Sequence, residues 1–259
     1  MNSELYQVFI LAAQEIRISG EKTPNPLITK KTFNGDRILD ITVKLLEDNG
    51  IPKKDIYIIS GYKFEEIHKT YNQLNCIVNP KWNTTHVSGS LRFAFNFLKG
   101  KKTIIIYADT LFNNSVFRKL IDNSKKNCLV FSSSNKEKSN QIEKLSDIST
   151  DLPSHQFTGL TLLDEKTTNS LKKFFDKYHE KYDNERLSVL LSKLLKFNKE
   201  IKFNTLNANN NWVEIESLEK FSKFMFGSKA ETLERISPFL SKSKTLPQYH
   251  FTINKWINE

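Results

Sequence analysis

The chain has 259 residues, 39 Lys and Arg against 29 Asp and Glu for a net charge of +10, 38% hydrophobic residues, 12% aromatics, eight glycines and two cysteines. This composition excludes global disorder, a disulfide framework and a Cys-x-x-Cys zinc site, and the longest apolar runs, such as Val8-Phe9-Ile10-Leu11-Ala12-Ala13, fall far short of a bilayer span. The opening Met1-Asn2-Ser3-Glu4 shows no basic segment followed by an apolar one, so no signal peptide is expected, and a soluble, reducing, cytoplasmic setting is.

The first half alternates strand-like and helix-like segments. Residues 6–13 form a continuous apolar run, as expected of a strand buried on both faces. A polar loop with Gly20, Pro24 and Pro26 follows. Residues 36–48 carry apolar side chains at helical spacing, with Asn49-Gly50 and Pro52 as the stop. Strands are predicted at 55–60, 76–78, 103–108 and 127–132, and helices at 64–74 and 90–98. No element is assigned between 115 and 126. In the second half, 135–153 reads as a polar surface stretch. Strands are predicted at 157–163, 201–206 and 212–215, and helices at 168–182, 184–197, 217–226 and 229–240. A separate tail covers 247–256. Strands alternating with helices imply an α/β fold, with a parallel sheet covered on both faces. Ligands of such sheets bind outside the carboxyl ends of the strands, which singles out loops 14–27, 79–89 and 109–114.

The charge admits three explanations. A nucleic-acid binder would cluster its basic residues, whereas these lysines are scattered among many asparagines, so nucleic acid is not the expected partner. A Lys- and Asn-rich coding bias is the plainest account. A pocket for phosphorylated ligands would also favour a positive field.

Several blocks recur in a known order: Phe9-Ile10-Leu11-Ala12-Ala13, Ile59-Ser60-Gly61-Tyr62-Lys63, and Asn79-Pro80-Lys81-Trp82 followed by Thr85 and Ser90-Leu91. They continue with Ile104-Ile105-Ile106-Tyr107-Ala108-Asp109 and Phe112, Phe157-Thr158-Gly159-Leu160, and Trp212-Val213-Glu214-Ile215-Glu216-Ser217. Together they resemble the sugar-phosphate nucleotidyltransferases, including those that activate choline phosphate or amino-acid phosphates with CTP. The resemblance implies a Rossmann-like three-layer α/β/α fold with a mostly parallel central sheet over residues 1–226, and a C-terminal helix and tail over 227–259. It implies transfer of a nucleotidyl group, cytidylyl being favoured, from a nucleoside triphosphate to a small phosphorylated acceptor in surface-polysaccharide precursor synthesis. It further implies Mg2+ held by Asp109 and Glu216, Arg17 and Lys22 neutralising phosphate charge, and nucleotide contacts from Ala12, Ala13, Gln14, Asn79, Thr85 and Ser90. Read as isolated residues, Asp109 could equally cap a strand end, and Glu214 and Glu216 could be exposed strand carboxylates.

The departures from the family pattern fall in the first loop, where Gln14 and Ile16 stand in place of two glycines, Glu15 adds a negative charge, and Asn25 occupies the usual lysine position. A β-branched residue resists positive φ, and its side chain would occupy phosphate space. Thr85-His86-Val87 and Ala108 are further changes. A second expectation follows from them: a catalytically degenerate domain that serves as a binding or docking module. The tail, from Phe226-Gly227-Ser228-Lys229 through Leu246-Pro247 to Phe251-Thr252-Ile253, resembles the junction to phosphoenolpyruvate-synthase-like kinases of the ATP-grasp type, which implies a fused or separate kinase partner. Cys76 and Cys128, in apolar strands, read as structural thiols. Trp82 and Trp212 read as packing residues, and His86 as a surface residue or a cleft base.

Overall fold

Every second side chain of the first strand packs on one face of the sheet and the rest on the other, which is why its sequence is apolar throughout. The structure, a computed structural model, describes residues 6–15, 29, 36–122, 126–133, 155–209, 211–215, 224 and 233. In it β1 (Tyr6–Ala12), β2 (Ile56–Ser60), β3 (Asn75–Val78) and β4 (Lys102–Tyr107) run parallel, and β6 (Asn127–Ser133) pairs in parallel with β8 (Phe203–Asn207). Between them β7 (His155–Leu163) is antiparallel to both β4 and β6, giving the order β3-β2-β1-β4-β7-β6-β8. A second, two-stranded sheet joins β5 (Thr110–Phe112) to β9 (Trp212–Glu214).

The two faces carry separate cores. Val8, Ile10, Ile58, Ile104 and Ile106 pack with Leu39, Val43 and Leu46 of α1 (Ile38–Asp48), Ile67 of α2 (Phe64–Thr70) and Phe117 and Leu120 of α4 (Asn114–Asp122). Phe9, Tyr57, Ile59, Ile105 and Leu129 pack with Leu91 of α3 (Val87–Phe93), Leu171 and Phe174 of α5 (Glu165–Tyr178) and Leu190 and Leu194 of α6 (Leu187–Phe197). The expected three-layer α/β/α arrangement with a mostly parallel sheet is therefore present.

Several boundaries differ from expectation for identifiable reasons. α3 begins at Val87 rather than 90 because the His86 ring accepts the Val87 N–H at 2.9 Å and caps the helix. α5 begins at Glu165 because the Asp164 carboxylate accepts the Thr167 N–H at 2.7 Å. Residues 179–182, expected to continue that helix, form a 3-10 turn. β5 lies within the loop expected at 109–114, and α4 runs on through a stretch to which the sequence assigned no element.

By backbone proximity the chain divides into two units, Met1–Glu216 and Ser217–Glu259. The expectations attached to Ile16, Arg17, Gly20, Lys22, Pro24, Asn25, Pro26 and Glu216, to the stretch 135–153 and to the 247–256 tail lie outside the described residues, as do those for 217–226 and 229–240 apart from Phe224 and Leu233. Among the described residues, no helix is long and apolar enough to cross a membrane.

Candidate functional site at the carboxyl edge of the sheet

Backbone hydrogen bonds tie the ends of the four parallel strands into one row. Ala13 O accepts the Tyr62 N–H (2.8 Å), Ser60 O accepts the Asn79 N–H (2.8 Å), and Leu11 O accepts the Ala108 N–H (3.0 Å). This row brings Ala12 and Ala13, both buried, beside Gly61, Asn79 and Asp109. Gln14, which follows, is exposed. Gly61 is required by its neighbours: a Cβ there would fall 2.4 Å from Trp82 Cβ and 2.6 Å from Ala13 O. Trp82 thus lies directly over the β2 turn, with the Tyr62 ring edge-on at 5.4 Å, and serves as wall rather than core.

Asn79 is fully buried and organises the loop after β3. Its Nδ2 donates to Thr85 Oγ1 (2.9 Å) and Ser90 Oγ (3.0 Å), and its Oδ1 accepts the Lys81 N–H (2.9 Å). The three residues expected at the nucleotide are therefore brought together, with the Asn79 amide committed inside the loop. The segment after α5 holds the loop from outside. Asp183 O accepts the N–H groups of His86 (2.8 Å) and Gly89 (3.0 Å), and Glu185 O accepts that of Ser88 (3.0 Å). The Asp183 carboxylate takes Arg92 in a bidentate pair, both contacts at 2.7 Å, while Glu180 takes Lys81 at 2.7 Å. His86 is half-buried and is a helix cap; burial, then the nearby Arg186, lowers its pKa.

Asp109 follows β4 directly. Its carbonyl accepts the Ile215 N–H at 2.7 Å, which sets the β5–β9 register with Thr110 opposite Glu214. Burial, then the Glu214 carboxylate, raises the Asp109 pKa to about 6. Asp109 is thus one of two neighbouring carboxylates at the ligand edge of the sheet, and Glu214 is the second among the described residues. Gln156 Nε2 donates to Glu214 Oε2 at 3.3 Å. No cluster of three or more His, Cys, Asp or Glu side chains able to hold a metal occurs among the described residues. Two hard oxygen donors completed by ligand oxygens suit Mg2+, which binds through one or two carboxylates plus substrate phosphates.

Tyr107, one residue before the turn, was given no role by the sequence. Burial followed by the Asp109 carboxylate raises its pKa, and the nearby Leu187 backbone N–H at the start of α6 partly offsets this. Its ring rests on Gly159, which has φ +79° and no room for a side chain: a Cβ would sit 2.4 Å from Tyr107 Cδ2. Glu214, Arg186 and Asp183 were missed as site-forming residues too, because no local pattern marks them. The thiols behave structurally: Cys128 is buried with its pKa pushed up to about 12, and Cys76 is half-buried with its pKa also raised by burial. Ser60 Oγ and His68 Nε2 lie 3.0 Å apart, but Ser60 is fully buried and also bonds Ile77 O, so this pair is part of the packing.

No family model and no curated protein matches the chain. Solved structures do. The inositol-1-phosphate CTP transferase from T. maritima superposes with a TM-score of 0.63 at 17% identity, over 85% of this chain and 96% of that one. The CTP:phosphocholine cytidylyltransferase LicC from Streptococcus pneumoniae gives 0.54 at 18% identity, over 84% and 96%. HddC from Yersinia pseudotuberculosis gives 0.57 at 18% identity, over 84% and 97%. At these identities the likeness is one of architecture, and it extends over nearly the whole length of each relative: the chain has the Rossmann-like α/β/α fold of the nucleotidyltransferases.

Proposed function

We propose that the protein is a nucleotidyltransferase that moves a nucleotidyl group from a nucleoside triphosphate to a small phosphorylated acceptor. The observation that carries this reading is the Asp109–Glu214 pair at the carboxyl edge of the sheet, where burial, then the Glu214 carboxylate, raises the Asp109 pKa to about 6. A pair of this kind is relieved by a divalent cation. Two of the solved structures that share the fold are CTP-dependent by name, which supports CTP as the donor.

In the proposed reaction an oxygen of the acceptor phosphate attacks the α-phosphorus of the triphosphate, the bond to the β-phosphate oxygen breaks, and pyrophosphate leaves. The protein's share is positioning and charge neutralisation. Asp109, with Glu214 and Glu216, would hold Mg2+, which when bound offsets phosphate charge. Backbone at Ala12, Ala13 and Gln14 and the loop from Asn79 to Ser90 would form the nucleotide side, and Asn79 would act by fixing Thr85 and Ser90. Arg17 and Lys22 would supply phosphate charge. Surface-polysaccharide precursors are the expected destination of the product.

The test is pyrophosphate release in Mg2+ with CTP, UTP, ATP or GTP and phosphocholine-type or phospho-amino-acid acceptors. Release with at least one pair, lost in Asp109→Asn, is the expected result. No release with any pair removes the catalytic reading. The specific observation favouring the second reading, a non-catalytic docking module for a partner kinase, is the pair Gln14 and Ile16 in place of loop glycines. It predicts co-purification with such a kinase and no pyrophosphate release.

A further inference from the structure

One residue of the α5–α6 connection, Asp183, meets the nucleotide-side loop through both its backbone and its side chain. Its carbonyl oxygen accepts the N–H groups of His86 at 2.8 Å and Gly89 at 3.0 Å. Its carboxylate takes both arms of Arg92, Nε and Nη2, at 2.7 Å each, from the last turn of α3. The approach is close enough to require glycine at 89: a Cβ there would fall 2.6 Å from Thr85 Cβ and 3.0 Å from Asp183 O. The ion pair is nearly out of solvent, with the Asp183 side chain 9% and the Arg92 side chain 15% exposed.

The second tie from this connection is weaker. Lys81 meets Glu180 at 2.7 Å, but their side chains are 49% and 61% exposed, and exposed pairs contribute little. A bidentate pair shielded from water is the stronger of the two. Thr85 lies between two anchors: its Oγ1 accepts from the buried Asn79 at 2.9 Å, and its Cβ borders the Gly89–Asp183 contact. We propose that Asp183 is a positioning residue, which holds the loop from Asn79 to Ser90 in the shape that takes the nucleotide. It acts through the loop rather than on the ligand. The inference rests on the reading that this loop forms the nucleotide side. Asp183→Asn leaves Arg92 one uncharged oxygen in place of a carboxylate fork. The nearest carboxylate then left to Arg92 among the described residues is the exposed Glu180, at 3.4 Å, so the end of α3 loses its fixed point.

The experiment compares the full-length wild type with Asp183→Asn, Arg92→Lys and the control Glu47→Gln, which breaks only the exposed Lys53–Glu47 pair. Hydrogen exchange is followed at the His86 and Gly89 amides, with urea unfolding for global stability. KM and kcat are measured in Mg2+ for the triphosphate and acceptor that the wild type turns over. Asp183→Asn is expected to speed exchange at the two amides by about tenfold or more, beyond any change in global stability. It is expected to raise the triphosphate KM by about tenfold or more, with smaller changes in kcat and in the acceptor KM. Arg92→Lys, the milder variant, keeps the charge without the fork and is expected to fall between. Glu47→Gln is expected to change neither readout. Unchanged exchange at both amides, a loss of protection spread evenly over the chain, or an equal rise in both KM values overturns the proposal. If the wild type turns over no pair, the transferase reading fails, while exchange at His86 and Gly89 still decides whether Asp183 holds the loop.

Discussion

The Tyr107 ring lies flat against Gly159, and the contact is so close that any side chain at 159 would fall within 2.4 Å of ring carbon Cδ2. The pairing locks β4 to the antiparallel β7 just below Asp109. Gly159 also has φ +79°, where an L side chain is strained. Gly159→Ala therefore combines a backbone penalty with overpacking and is expected to destabilise the fold by about 2–4 kcal/mol. Tyr107→Phe keeps the ring and loses only the largely buried hydroxyl, for a cost of about 1 kcal/mol. Urea unfolding of the two variants distinguishes them. Equal losses would show that the ring contact is not the main term.

Asp109 gives stability a definite pH slope. Its pKa rises from 3.8 to about 6 on folding, so the folded state binds this proton more tightly than the unfolded one. The contribution is fully present below pH ~4 and is lost as pH rises through ~6. Asp109→Asn removes the buried charge and is expected to stabilise the metal-free protein at pH 7.5 by ~1 kcal/mol, after allowance for partial exposure, with no gain at pH 4. Mg2+ is expected to raise the melting temperature of the wild type at pH 7.5 and to leave Asp109→Asn unmoved. A thermal-melt series over pH and Mg2+ reads both effects.

The sheet was legible because β1, β2, β4 and β6 are buried on both faces, and such strands write themselves as unbroken apolar runs such as Ile104-Ile105-Ile106. The reversal of β7 was not, since a strand's direction leaves no trace in its periodicity. α4 escaped because only Val116, Phe117, Leu120 and Ile121 face the core, in a segment otherwise polar. In the site, Asp109 could be found from its place after a buried strand. Glu214 could not be singled out from Glu216, two positions further along the chain: what sets Glu214 beside Asp109 is the pairing of β5 with β9 and the Ile215 N–H bond to the Asp109 carbonyl. Arg186 and Asp183 reach the site only through the folding of the α5–α6 connection, which no spacing in the chain announces.

Asn79 should prove the keystone of the nucleotide-side loop. Its amide satisfies the Thr85 and Ser90 hydroxyls and the Lys81 N–H from a position with no solvent contact. Asn79→Ala leaves these groups without their shared partner and opens a small void, for an expected loss of about 2–4 kcal/mol. Under the proposed function the same change raises the KM for the triphosphate more than that for the acceptor. Denaturant titration and steady-state kinetics measure the two effects, and an unchanged stability would show that the loop does not depend on this residue.

His86 caps α3 through its neutral ring, since Nδ1 must carry a lone pair to accept the Val87 N–H at 2.9 Å. Protonation converts that acceptor into a donor facing a donor. Burial and Arg186 lower the pKa in the folded state, so the unfolded chain takes the proton first. By linkage, this contribution is present above the unfolded value near 6.5 and is lost as pH falls toward the lower folded value. Loss of the cap is worth ~1 kcal/mol. His86→Asn supplies a side-chain oxygen that accepts at any of these pH values, so it is expected to match the wild type at pH 7.5 and to exceed it at pH 5. Hydrogen exchange of the Ser88 to Leu91 amides at the two pH values reads the cap directly. Protection that falls equally in both proteins at pH 5 would assign the change to some group other than His86.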